Sequence, residues 1–254
     1  MGTNRSGAQS AATTMVLFAL TGVIRPSHAD EPAAAPVVEV GVDTPASGPP
    51  RVELMQKDAD RIQLVAKALP ALSEDGKRVA IGVIGEDGAR GDPNLAVQIR
   101  DVDSDALLGH ATILAAGQAF TPSLGARIAR ANQQLDRTRW TPFASTAAPQ
   151  GSRTQGDEDE VSSLQIGELT IALAGTHFSV RERSGRALVS RRVPGWAAPS
   201  SPGPDGFRCD NPPKLLDAHL DLPRRALLVR VGFFGTDSCW EPDSRWHTVR
   251  LPKS

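Results

Sequence analysis

The residues able to do chemistry are few, and their spacing decides what they can do. The 254-residue chain has five histidines and two cysteines. His177, His219 and His247 fall in three stretches of strand-like sequence, and Asp217 and Asp221 flank His219. Imidazoles beside carboxylates are the donor types of a zinc centre, which needs three or four of them at one point. Alternation along a strand argues against that, because neighbouring side chains leave on opposite faces. Phe178 and Val180 share an inner face, so His177 is predicted to point out. Ala218, Leu220 and Leu222 are predicted to point in, so His219 points out. His247 shares its face with Val249 and Leu251 and points in. A second cation candidate is the run Asp101-Val102-Asp103-Ser104-Asp105, whose alternating acids resemble a calcium loop. The full pattern next requires Gly and, at the twelfth place, Glu; Ala106 and Thr112 stand there instead. Neither metal is expected, and His177, His219, Asp101, Asp103 and Asp105 stand only as weak candidates.

No nucleophile motif is present: no G-x-S-x-G, P-loop, G-x-G-x-x-G or H-E-x-x-H. Cys239 beside His247 would serve as a nucleophile only if reduced. A hydrolase site drawn from His110, His177, His219 and nearby acids is the alternative to a non-catalytic protein. No catalytic residue is assigned and no cofactor is expected. Arg90-Gly91-Asp92 spells an adhesion tripeptide that a Gly-rich turn explains equally well.

The N-terminus supplies an address. Arg5 precedes the short apolar stretch Ala11–Ile24, and Ser27-His28-Ala29 offers small residues ahead of a cut before Asp30, the pattern of a secretory signal. The apolar run falls short of the roughly 20 residues a spanning helix needs. An uncleaved anchor or an unstructured tail is the other reading. In an oxidising periplasmic or extracellular compartment Cys209 and Cys239 are expected to pair. The bridge would close a loop of about 30 residues and contribute roughly 3–4 kcal/mol on a chain-entropy account. Two free thiols, or half of a metal site, are the alternatives. Beyond residue 29 the chain carries 26 basic and 29 acidic side chains. That balance gives no grip on a phosphate backbone, so nucleic acid is not an expected partner. Seven Phe, four Trp and no Tyr leave few stacking platforms for sugars or bases.

The elements that would position these residues are mostly strands. Ala71–Ile84 carries Ser73-Glu74-Asp75-Gly76 between two apolar runs, a strong hairpin signal. Four strands are predicted at Leu64–Leu72, Arg78–Ile84, Leu95–Val102 and Leu107–Leu114. One helix follows Thr121-Pro122-Ser123, with Leu124, Ile128, Ala131 and Leu135 on one face. Its arginines, Arg127, Arg130 and Arg137, read as a solvated face or, more sharply, as a docking face for an acidic or lipid-headgroup partner. Trp140 and Phe143 are expected to pin the helix to a sheet. Further strands are predicted at Glu168–Leu173, His177–Arg183, Arg186–Val193, Leu215–Leu222, Ala226–Phe234 and Trp246–Leu251. Ala226–Val231 is apolar almost throughout, as suits a strand buried on both faces.

Leu72–Ala80 as the first hairpin and Ile99–Leu108 as the second make residues 69–113 resemble one blade of a TolB-type β-propeller. That resemblance implies a four-stranded meander and no activity. A closed propeller needs at least four blades, and the chain has room for two. The mature region, at Glu86–Asn94 and Cys239–Leu251, also resembles uncharacterised secreted bacterial proteins.

The expected organisation is a signal peptide at 1–29, a disordered Pro/Ala-rich leader at 30–51, an N-terminal meander with its helix at 52–143, an acidic linker at 144–163, and a C-terminal β half at 164–254. The predicted fold class is mainly β, with two antiparallel four-stranded meanders, as a sandwich or two blade-like sheets, and one helix between them. The expected function is a non-catalytic extracytoplasmic binding or structural module, with a protein or cell-envelope ligand and no integral membrane span in the mature chain.

Overall fold

The first tight turn shows how the local chemistry works. Gly76 has φ +68°, which a residue without Cβ adopts at no steric cost. Its amide reaches the Ser73 carbonyl at 2.8 Å. The buried Ser73 hydroxyl donates to Asp75 Oδ1 at 2.6 Å and accepts from the amides of Lys77 and Arg78. The turn thus satisfies its own backbone and joins β4 (Ala71–Ser73) to β5 (Arg78–Val83).

The computed structural model describes residues 37–43, 48–58, 61–85, 94–118, 122–147, 162–197, 201–202, 208–209, 212–233 and 244–253. It is mainly β. β4 and β5 continue into β6 (Leu95–Asp101) and β7 (Leu107–Leu114) as a four-stranded antiparallel meander, and β8 (Trp140–Pro142) adds to the outer side of β4. A second meander comprises β10 (Ser162–Ile166), β11 (Leu169–Ala174), β12 (His177–Glu182) and β13 (Ala187–Arg192). A third sheet is ordered β18-β17-β16-β9, from Arg245–Arg250, Ala226–Phe233, Pro213–Asp221 and Ser145–Ala147. β14 (Ser201–Pro202) and β15 (Arg208–Cys209) form a small ladder. The helix α1 spans Leu124–Leu135 and buries Leu124, Ala131 and Leu135.

The layers stack in a definite order, set by which face each apolar residue takes. Leu164, Ile171, Phe178 and Val180 of the β10–β13 sheet meet Leu215, Ala218, Leu220, Leu227, Val229 and Val231 of the β16–β18 sheet in one core. The reverse face of that sheet presents Ala226 and Leu228 to Leu72, Val79 and Ile81. The far side of the β4–β7 sheet packs Ala71, Ala80, Leu95, Val97 and Ile113 against α1 and the N-terminal strands. β17 is therefore covered on both faces, as its unbroken apolar run requires.

Several expectations are corrected. The strand predicted at Leu64–Leu72 is two strands in different sheets. β3 (Arg61–Lys67) ends where Ala68 takes φ +53° and a cis Leu69–Pro70 bond follows; only Ala71–Ser73 enters the meander. β3 pairs instead with β2 (Arg51–Asp58) antiparallel and β1 (Val37–Asp43) parallel. β1 lies inside the stretch expected to be a disordered leader: its Val-rich alternation suits a strand despite the surrounding Pro and Ala. Within the stretch expected to be an acidic linker, 144–163, β9 at its start pairs with β16, and β10 begins at Ser162. Leu222 is 55% exposed rather than inward, since β16 ends at Asp221. Phe143 packs in the core between the β4–β8 and β16–β18 sheets rather than pinning the helix; Trp140 does that, its indole N–H donating to Leu135 O at 2.7 Å. The acidic run 157–160, Arg90-Gly91-Asp92 and Cys239, with it the Cys209–Cys239 pairing, lie outside the described residues. Among the described residues no helix is long and apolar enough to cross a membrane.

Candidate functional site

The densest polar constellation lies where the β6–β7 turn meets the edge strand β18. Asp101 starts the turn: its Oδ1 accepts from the Asp103 amide and from both the amide and hydroxyl of Ser104. Those bonds, the Ser104 amide first, hold its carboxyl below the ordinary aspartate value. Asp105 then takes φ +58°, which Asp tolerates better than most residues. This conformation aims its carboxylate across at β18. Oδ2 lies 2.7 Å from His247 Nδ1, and Oδ1 accepts from the Thr248 amide at 2.8 Å and from Arg100 Nε at 3.0 Å. Thr248 Oγ1 donates to Asp101 O at 2.8 Å. Burial pushes the Asp105 carboxyl up; His247, the Thr248 amide and Arg100 outweigh it and hold the group below the ordinary aspartate value.

His247 is buried and stacks on Trp196, with ring centroids 4.4 Å apart and planes 16° from parallel. Trp196 ends a short 3-10 helix, Pro194–Trp196, and its other neighbour is Phe178. His247 Nε2 is buried with no hydrogen-bond partner among the described residues. An Asp–His pair of this geometry is what a general base requires, yet the free nitrogen faces the core and not an open cleft. Next along the strand, Arg250 ties three elements together. Nε donates to Asp103 Oδ1 at 2.6 Å, Nη1 to Arg224 O at 2.6 Å and Nη2 to Gly76 O at 2.7 Å. Arg224 in turn bonds Asp221 at 2.8 Å and the Glu74 carbonyl at 3.1 Å.

The other candidate residues separate. His219 sits on the face of β16 opposite Ala218 and Leu220, as strand parity requires, but that face is also covered: His219 packs between Phe143 and Trp246. Its Nε2 is 3.7 Å from Asp217 Oδ1, while Asp217 Oδ2 pairs with Arg230 at 2.7 Å. Arg230 also lies over the Trp246 ring. His177 is exposed on the outer sheet, 3.1 Å from Ser190 Oγ, and His110 is exposed, 3.0 Å from Thr112 Oγ1. The three strand histidines thus occupy two sheets and, within one of them, opposite faces. Asp101, Asp103 and Asp105 do share one turn, but each is engaged by a different protein donor. Among the described residues no group of three or more His, Cys, Asp or Glu is placed to hold a metal ion.

Pairing of Asp105 with His247 spans 142 residues. Nothing local marks Asp105 for that role beyond its place in an Asp-rich turn, and Trp196 lay in what reads as a Pro/Gly/Ser loop. Beside this brace, a cleft of about 330 Å³ opens between the β4–β5 turn and the end of α1, lined by residues 73–75, Arg78 and residues 137–139. Comparison of the chain with family models, with curated proteins and with solved structures finds no match.

Proposed function

We propose that the mature chain is an exported, non-catalytic β-sheet module that acts by binding a protein or cell-envelope ligand. The observation that carries this reading is the brace. The residues with acid–base potential are engaged in holding the fold: Asp105 and His247 lock one sheet to the next with only the buried His247 Nε2 left over, and the Asp101 carboxylate holds its own turn. A catalytic pair has to meet substrate, and in this one His247 is buried and stacked on Trp196. The signal-like N-terminus supports export to the periplasm or beyond, and the expected Cys209–Cys239 bridge belongs to the same compartment.

The test is made on protein recovered from the producing cell. Export predicts that intact mass begins at Asp30, that the protein fractionates outside the cytoplasm, and that thiol titration finds no free cysteine. An intact leader on cytosolic protein with two reactive thiols overturns it. For the hydrolase alternative, the purified chain is screened against ester, amide, glycoside and phosphate substrates. Turnover that disappears in His219→Ala or His177→Ala replaces the binding reading.

A further inference from the structure

The cleft beside the β4–β5 turn carries more positive charge than its acids neutralise. β4 pairs with β5 on one side and β8 on the other: Leu72 faces Val79 and Thr141, and Ser73 faces Trp140. That register brings Arg78, the first residue of β5, beside Arg137 and Arg139, which lead from α1 into β8. Arg137 and Arg139 follow the end of α1, and Arg78 comes from a different element. Arg139 approaches Glu74 only at 4.0 Å, with both side chains mostly exposed. Arg78 lies near enough to Asp75 to help hold it ionised, while no salt bridge joins Arg78 or Arg137 to another described residue.

The acids on the opposite lip are partly committed. Asp75 accepts the Ser73 hydroxyl and the Lys77 amide, and these bonds, the hydroxyl first, hold its carboxyl below the ordinary aspartate value. Its charge is directed mainly at the turn, with Lys77 and Arg78 adding smaller contributions, and Glu74 faces Arg139. The volume, about 330 Å³, is at the small end of pockets that hold small molecules, which begin at about 300 Å³.

We propose that this cleft binds a small ligand through an oxyanion, phosphate or carboxylate, held by Arg78 and Arg137 with Arg139 released from Glu74 to complete the grip. A guanidinium presents paired N–H donors that match two oxygens of such a group, which is why convergent arginines suit it better than lysines would. Glu74 and Asp75 favour a ligand whose oxyanion is flanked by hydroxyls or an amine. This rests on the reading of the chain as a binding module and adds the class of its ligand.

Titration of the mature protein with inorganic phosphate, and separately with acetate, followed by backbone amide NMR, tests it. Saturable shifts at residues 73–78 and 137–139 are expected, and the stronger of the two probes distinguishes phosphate from carboxylate. The double variant Arg78→Ala/Arg137→Ala should weaken binding about tenfold or more, and Glu74→Gln should tighten it. Arg192→Ala, an exposed arginine of the outer sheet, should leave it unchanged. All four positions are exposed, and melting curves confirm folding. No saturable shift with either probe, or equal weakening by Arg192→Ala, overturns the site. Hydrolysis of p-nitrophenyl phosphate by the same sample would instead retire the non-catalytic reading while leaving the binding site standing.

Discussion

At the scale of single residues, Asp105 does the most. Its carboxylate reaches His247, the Thr248 amide and Arg100 together. Asp105→Ala would leave buried donors without an acceptor, and its expected cost is roughly 2–4 kcal/mol in urea unfolding. Asp105→Asn keeps an acceptor and tolerates the positive φ, so it should cost less. The pH dependence has a definite sign. A carboxyl held below its ordinary value stabilises the fold fully above about pH 4, the unfolded aspartate value, and loses that contribution as pH falls through the folded value. The stability gap between wild type and Asp105→Ala should therefore narrow on acidification below about pH 4. A gap that stays constant down to pH 2 would mean that the carboxylate contributes no charge-dependent stability.

Elements are joined by side chains that imitate a strand. Asn132 on α1 accepts the Val52 amide at 2.8 Å and donates back to the Val52 carbonyl at 2.9 Å. β2 is an edge of its sheet, and this one amide satisfies backbone groups that would otherwise be exposed to pairing with another chain. Val52 is almost fully buried. Asn132→Ala should accordingly cost about 1–3 kcal/mol, the penalty of two buried backbone groups left unpaired, and should speed amide exchange at Val52 selectively. Uniformly faster exchange along the chain would point to helix destabilisation alone. The helix itself was legible beforehand because its apolar face follows the period of the α-helix. β2 and the start of β3 were not, since Lys57-Asp58-Ala59-Asp60-Arg61 breaks the alternation where the hairpin turns.

For the molecule as a whole, the question is what fixes one sheet against the next. Apolar packing between the β4–β7 and β16–β18 sheets joins Leu72, Val79, Ile81 and Val102 to Ala226 and Leu228, with Val83, Phe143 and Trp246 at its margins. Arg250 reinforces it from the side by reaching Gly76, Asp103 and Arg224. Arg250→Ala should cost about 2 kcal/mol and accelerate exchange in the turns at 74–77 and 222–225 together. Arg250→Lys keeps the charge but not the fork, so it should recover less than half of that loss. Normal exchange in both turns for Arg250→Ala would show that the apolar contact suffices.

What the amino-acid order determined by itself was local: the class of fold, the strands from Arg78 to Leu114, from Leu169 to Arg192 and from Leu215 to Arg250, the helix, and the opposed facing of His219 and His247. These follow from the periods of strand and helix and from the φ that Gly76 allows, all carried by near neighbours. Tertiary structure alone decided which strands share a sheet, that β9 crosses into the C-terminal sheet, and that His219 is buried although it faces away from the nearer core. It also decided that Asp105 meets His247 and that Arg78 and Arg137 line one cleft. Those pairings arise from contacts between residues far apart in sequence, where packing geometry rather than neighbouring side chains selects the partner.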